Sequence, residues 1–335
     1  MGTAIVQFIL SSILIVIAGS FLTRFTDKIS ETTGWGKMFV GGLLLAGATS
    51  LPELVVDIKA IELDLPDLAV GDLLGSSLFN LLILSILDFS FPSAFKRTAF
   101  SPIFLHHSLA AVLTILLTTI VAIGITSKLD TSFFGVSLFC WLVVVVYIYG
   151  LRLIFIQSND KAPSLTHSDH PRDRSLFKNR PLLLAFFGYV ISALVILIIA
   201  PFLIEAADRL AKESGFGHTF IGTTLVAFAT SLPELVATIS AFRMGAPDLA
   251  LGNIFGSNAF NMILFFPLDL IYSKNLFSSV KNVHVVTALS IVATTSIAVM
   301  GQIYRKKEHS RFSEPSSEIV VLVTLLSLVL IYNLR

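Results

Sequence analysis

The sequence predicts an all-α membrane protein: ten transmembrane helices arranged as two inverted five-helix repeats. Three observations carry that expectation: an apolar composition, ten long apolar stretches, and a segment that occurs twice. Of 335 residues, 55% are hydrophobic and only 13% are charged, with a mean hydropathy of +0.86. A soluble domain carries about 25% charged residues and cannot hide so much apolar surface. A bilayer can. The formal charge of +1 gives no electrostatic footprint for nucleic acid, and no basic stripe with interleaved aromatics occurs. A β-barrel is excluded because its strands alternate in short runs, whereas these stretches are long and continuous.

Each stretch approaches the roughly 20 apolar residues that cross a hydrocarbon core. They cover 3–21, 37–60, 67–89, 100–124, 131–155, 181–205, 218–242, 248–272, 280–302 and 317–334. The first has no basic segment before it and no clear small-residue cleavage site after it, so it reads as a span rather than a signal peptide. The single cysteine, Cys140, lies inside an apolar run and reads as an inert thiol. Sixteen of the 23 Lys and Arg residues fall in the connections after spans 1, 3, 5, 7 and 9. Positive charge concentrates on the cytoplasmic side. Both termini are therefore expected outside a plasma or inner membrane. The polar segment Gln157 to Arg180, with Pro163 and Pro171, reads as a flexible cytoplasmic linker. It divides the chain into a first repeat (1–156), the linker (157–180) and a second repeat (181–335).

The repeat itself is the most informative feature. Leu45 to Leu84 reads LAGATSLPELVVDIKAIELDLPDLAVGDLLGSSLFNLLIL, and Val226 to Phe265 reads VAFATSLPELVATISAFRMGAPDLALGNIFGSNAFNMILF. They align without a gap, 181 residues apart, with about half the positions identical. Five spans on each side of the linker force the second half to enter the membrane in the opposite sense. In such inverted repeats the substrate site lies near the midplane, between the halves, on interrupted helices. Pro52 and Pro233 supply interruptions, since each removes a backbone donor and frees a carbonyl one turn earlier. In lipid that carbonyl must face protein, water or an ion. Gly75 and Gly256 fall inside spans 3 and 8, where they permit bending or close helix approach.

Glu53 and Glu234 each follow such a proline. A carboxylate in mid-membrane costs several kcal/mol and must face a partner or a cavity. Lys59 and Arg243 lie near helix ends, which leaves a bound cation as the better partner. Around the acids stand Thr49 and Ser50, and Thr230 and Ser231. On the following helices Ser76 and Asn80, and Ser257 and Asn261, are spaced by four and share a helix face. All are oxygen donors, the set wanted by hard cations such as Ca²⁺ and Na⁺. No Cys or His joins them, which argues against Zn²⁺ or Cu⁺. Two carboxylates would neutralise one Ca²⁺, and Na⁺ or protons would compete for the same oxygens. No resident cofactor is expected, and the partners are the lipid bilayer and small cations, with no obligate protein partner. No nucleophile–base or metalloprotease motif occurs, so an enzyme is not expected.

Among its departures from its twin, the first copy has Asp57 for Thr238, Asp72 for Asn253 and Lys59 for Ser240. The first reading is a solvated helix end, with Asp57 or Asp72 paired to Lys59. The second is that Asp57 and Asp72 line an ion path. Asp67 and Asp248 follow prolines and read as helix N-terminal caps. Asp269 reads as an interfacial anchor, and His107 as an interfacial or packed histidine.

The doubled motif, TSLPEL with GSSLFN and TSLPEL with GSNAFN, resembles the α-repeats of the cation/Ca²⁺ exchanger superfamily, in its Na⁺/Ca²⁺ exchanger branch. The resemblance implies a secondary antiporter working by alternating access, with spans 1 and 6 sliding across a core of the other eight. It implies ion ligands at Thr49, Ser50, Glu53, Ser76, Asn80, Thr230, Ser231, Glu234, Ser257 and Asn261, completed by the carbonyls of Ala46 and Ala227. Some relatives carry an acid where this chain has Asn261. With amides at both Asn80 and Asn261 the site holds two acids, which weakens the case for K⁺ co-transport. H⁺-coupled cation exchange is the alternative, and a cation channel the remote one.

Overall fold

The structure is a computed structural model, and it describes residues 2–90, 107–159, 182–213, 229–303 and 315–334. In chain order the elements are α1 (Gly2–Thr33), α2 (Lys37–Val40), a π-helical turn (Gly41–Leu45), α3 (Ala46–Thr49), α4 (Leu51–Glu62) and α5 (Pro66–Ser90). Then come α6 (Ser108–Ser127), β1 (Ser132–Phe133), β2 (Val136–Ser137), α7 (Leu138–Asn159) and α8 (Leu182–Glu213). The chain closes with α9 (Leu232–Arg243), α10 (Pro247–Ile271), α11 (Leu276–Ser279), α12 (Val283–Ile303) and α13 (Pro315–Leu334).

Among the described residues seven helices are long and apolar enough to cross a membrane, and an eighth crossing is the broken pair Lys37–Thr49 and Leu51–Glu62, bent by 44°. The ten expected spans are therefore matched only in part. Residues 214–228, the first half of the span expected at 218–242, lie outside the described residues. The last span is a shorter apolar helix, Ser317–Ile331. Span 1 was expected to end near residue 21, but α1 runs on to Thr33. Its polar last turns are held by Lys28 to Glu31 and by Asp27 to Lys37, contacts that hydropathy does not register. The all-α expectation needs one small correction. β1 and β2 form a two-residue antiparallel hairpin, turned by Phe134 and Gly135 at φ 52° and 77°.

The repeat recurs element by element. α4 and α9 have 12 residues each, and α5 and α10 have 25 each. α5 and α10 form the interior, with 72% and 67% of their apolar windows buried against 28% for α1 and 22% for α8. α1 and α8 pack on each other at the rim and present apolar side chains such as Leu10 and Leu183 outward, where acyl chains would cover them.

The broken crossing is pressed onto α10 by glycine. A Cβ on Gly256 would lie 2.3 Å from Gly42 Cα, and one on Gly252 would lie 2.7 Å from Met38 O. No side chain fits between these backbones, the arrangement small residues permit in membranes. The π-turn starts within this contact. Its Leu44 carbonyl accepts from the Tyr189 hydroxyl on α8 at 2.8 Å.

The two capping aspartates do something other than capping. Asp67 accepts from Lys281 N at 2.8 Å and lies 2.9 Å from His284 Nε2. Asp248 lies 3.0 Å from His107 Nε2. Each therefore ties the start of an interior helix to the start of another helix. Asp269 is buried and accepts from Ser137 N at 2.6 Å and Leu276 N at 2.8 Å.

Candidate cation-binding site

The backbone break at Ser50 begins the site. Ser50 sits at φ −89°, ψ 5°, between α3 and α4, with Pro52 in the first turn of α4. Ser231 takes nearly the same conformation before α9, at φ −81°, ψ 2°. Pro52 and Pro233 cannot donate to the carbonyl one turn earlier, so in each copy the helix stops and restarts beside a glutamate. Glu53 and Glu234 thus occupy first turns, where the positive end of a helix dipole meets their charge.

All ten side chains expected to ligate are buried, none more than 1% exposed. The two halves meet among them. Ser50 Oγ donates to Glu234 Oε1 at 3.1 Å. Thr49 Oγ1 donates to the Ala46 carbonyl at 3.2 Å and lies 3.5 Å from Asn253 Oδ1. The Glu53 and Glu234 carboxylates are close enough to repel each other. The Ala46 carbonyl also accepts from Ser50 N at 3.0 Å. Ala227 lies outside the described residues.

The unsatisfied atoms define the centre. Among the described residues, Glu53 Oε2, Glu234 Oε2, Ser76 Oγ, Ser231 Oγ, Ser257 Oγ, Asn80 Oδ1 and Asn261 Oδ1 are buried with no hydrogen-bond partner. Seven such oxygens in one protein interior are costly unless something else binds them. All are hard donors, four from the second half and three from the first. No ion pair reaches either glutamate among the described residues. No three of His, Cys, Asp or Glu cluster at metal spacing there, so any cation held here must take hydroxyl and amide oxygens beside the two acids.

Asn258, Ser77 and Asn253, which sequence reasoning did not assign to the site, hold it in shape. Asn258 Nδ2 donates to Ser77 O, and Asn258 Oδ1 accepts from Asn80 Nδ2, both at 3.0 Å. Asn261 Nδ2 lies 3.3 Å from Ser77 Oγ and 3.4 Å from Leu73 O. Asn253 Nδ2 donates to Thr238 Oγ1 at 3.1 Å and points to Glu234 O at 3.4 Å. These amide donors are used up on protein, which leaves the carbonyl ends of Asn80 and Asn261 facing the centre. The signal was present in GSS against GSN, where the two copies differ beside each ligating serine.

One expectation fails. Asp57 is 0% exposed, so it is no solvated helix end. Lys59 pairs instead with Glu62 at 2.9 Å, and its side chain is 67% exposed. Residues two apart on a helix face different ways. Lys59 therefore points outward where Asp57 points in.

A membrane-crossing helical bundle with a buried cluster of hard oxygens drawn from both halves is the architecture of an ion-handling membrane protein. The family follows from the sequence itself. A family model described as sodium/calcium exchanger protein matches residues 3–151 and 184–334, and the chain belongs to that family, within the cation/Ca²⁺ exchanger superfamily. It is 28% identical over 259 residues to the inner membrane protein YrbG of Escherichia coli, covering 76% of each chain. It is 38% identical over 126 residues to the sodium/calcium exchanger MaX1 of Methanosarcina acetivorans, a stretch that is 36% of this chain and 35% of that one. The Ca²⁺/H⁺ antiporter ChaA of Bacillus subtilis is 22% identical, over 88% of this chain and 83% of its own. Solved structures of the sodium-calcium exchanger NCX_Mj share the fold, with a TM-score of 0.71 at 18% identity and 98% of each chain covered.

Proposed function

We propose that the chain is a secondary Na⁺/Ca²⁺ antiporter that binds its ions in turn at the oxygens around Glu53 and Glu234. The observation that carries this reading is the set of seven buried, unpartnered oxygens drawn from both halves. Two carboxylates balance one Ca²⁺, and the hydroxyls and amides bring the oxygen number into the six to eight that Ca²⁺ takes. Na⁺ competes for the same atoms, so one occupant excludes the other, and exclusion is what makes exchange obligatory. The ligands are Thr49, Ser50, Glu53, Ser76, Asn80, Thr230, Ser231, Glu234, Ser257 and Asn261, with the Ala46 and Ala227 carbonyls. In this reading the ten spans form two inverted halves in a plasma or inner membrane, joined by a cytoplasmic linker at 157–180, with both termini outside. Alternating access follows, with α1 and α8 moving across the interior helices.

The test is ⁴⁵Ca²⁺ uptake into Na⁺-loaded proteoliposomes, with and without an outward Na⁺ gradient. Uptake that needs the gradient and disappears in Glu53→Gln and Glu234→Gln is the expected result. Uptake driven by a pH gradient alone would move the protein to H⁺ coupling, the activity named for ChaA. Uptake indifferent to both glutamates would overturn the site.

A further inference from the structure

The first half encloses Asp57 and half-buries Asp72, two more acids that the central site does not use. Asp57 stands one turn beyond Glu53 on α4, and Asp72 one turn before Ser76 on α5. Both lie toward the α4–α5 turn. Their twins, Thr238 and Asn253, are hydrogen-bonded side chain to side chain at 3.1 Å across α9 and α10. The repeat thus places these positions in contact, and in the first half it sets two carboxylates there. The Asp72 charge acts on Asp57, and on Glu53 and Glu234 as well.

Neither acid has a protein counter-charge among the described residues. Among the described residues, both Asp57 carboxylate oxygens and Asp72 Oδ2 are buried with no hydrogen-bond partner. Asp57 is fully enclosed. Lys59, the nearest cation in sequence, is bound to Glu62 at the surface. Two like charges facing each other in a low-dielectric interior repel strongly, and an unpaired buried charge is costly. The second half avoids the problem with a neutral hydroxyl–amide pair. The first half leaves three buried carboxylate oxygens, which a cation would balance.

We propose that Asp57 and Asp72 form a second cation site, for a hard oxygen-seeking ion, one helical turn from the central site and present in the first half alone. Na⁺ and Ca²⁺ share the required chemistry. The site deepens the proposed exchange activity and rests on it: an ion held here is adjacent to the central oxygens and sits on one side of them only.

Equilibrium binding of ²²Na⁺ and of ⁴⁵Ca²⁺ to the purified full-length chain in detergent, read as ions per chain, tests the site. Asp57→Thr combined with Asp72→Asn copies the second half's pair. This variant is expected to lose one bound ion per chain of one isotope or the other. It should keep the ⁴⁵Ca²⁺ that Glu53→Gln with Glu234→Gln removes. Binding of both isotopes equal to the wild-type chain would overturn the second site. If size-exclusion chromatography shows the variant misfolded, Asp57→Asn with Asp72→Asn gives the same two readings. Failure of the central reading looks different, since the paired glutamate substitutions would then leave ⁴⁵Ca²⁺ binding unchanged while the aspartate substitutions still remove an ion.

Discussion

The helix pairs α4–α5 and α9–α10 begin and end at matching residues and repeat one motif, yet they do different work. The second pair is neutral one turn from its glutamate, where Thr238 and Asn253 hold each other. The first pair carries Asp57 and Asp72 at those positions. The second pair is also the packing partner. Gly256 presses on the Gly42 backbone, while its twin Gly75 has nothing within 4 Å of where a Cβ would be. The two copies thus differ: the first adds two acids, and α10 of the second makes the close glycine contact.

The sharpest way to break this picture is at the glutamates, where the halves should be equivalent. Glu53→Gln and Glu234→Gln each remove a buried charge that a cation would balance, a change worth about 3–5 kcal/mol. Each should lower Ca²⁺ affinity by roughly 100-fold or more, read by ⁴⁵Ca²⁺ binding. A loss confined to one of them would mean that the halves do not share the centre.

The glycines should separate the halves most clearly. Gly256→Ala forces a methyl into Gly42 and should cost about 1–3 kcal/mol, seen as a lower thermal midpoint in detergent. Gly75→Ala meets open space and replaces a poor helix former, so it should be neutral or stabilising by up to about 1 kcal/mol. Equal shifts would remove the packing asymmetry.

Asn258 and Ser77 offer a smaller contrast. Asn258→Ser copies the first half and gives up both the Ser77 and the Asn80 contacts. It should cost about 1–3 kcal/mol, with a weakened Ca²⁺ affinity because Asn80 loses its support. Ser77→Ala removes a single hydroxyl and should cost less on the same thermal measurement.

The mildest change lies at the turns. Asp64 and Gly245 are twins, both at positive φ, 57° and 70°. Hydrogen bonds from Tyr272 and Lys274 hold the Asp64 carboxyl below its usual range. The stabilisation this gives is present above the ordinary carboxylate range and is lost as pH falls through the lowered value. Asp64→Gly suits the left-handed backbone. It should leave the thermal midpoint near the wild-type value at neutral pH and remove that acid-side decline.

The doubled motif made the buried oxygen cluster largely legible in the sequence. Pro52 with Glu53, and Pro233 with Glu234, marked where the helices stop and which acids sit there, and the spacing of four marked the faces. What escaped was anything set by the relation between helices. Asp57 and Lys59 are two residues apart, and only the placement of α5 and α10 decides which of them is enclosed. The β1–β2 hairpin escaped because apolar residues continue through it. Asn258 escaped because its value lies in reaching Ser77 and Asn80, 178 residues away in the second case.

The backbone contact at Gly42 and Gly256 has an evolutionary consequence. Each copy of the motif contributes only part of the buried oxygen cluster, and the remainder arrives across a seam too narrow for any side chain. A gene encoding a single copy would have specified a useful product only if two chains met along that same seam. Two such copies in one chain have a fixed stoichiometry, and each is free to vary by itself. Asp57 and Asp72 in one copy, against Thr238 and Asn253 in the other, are such a variation.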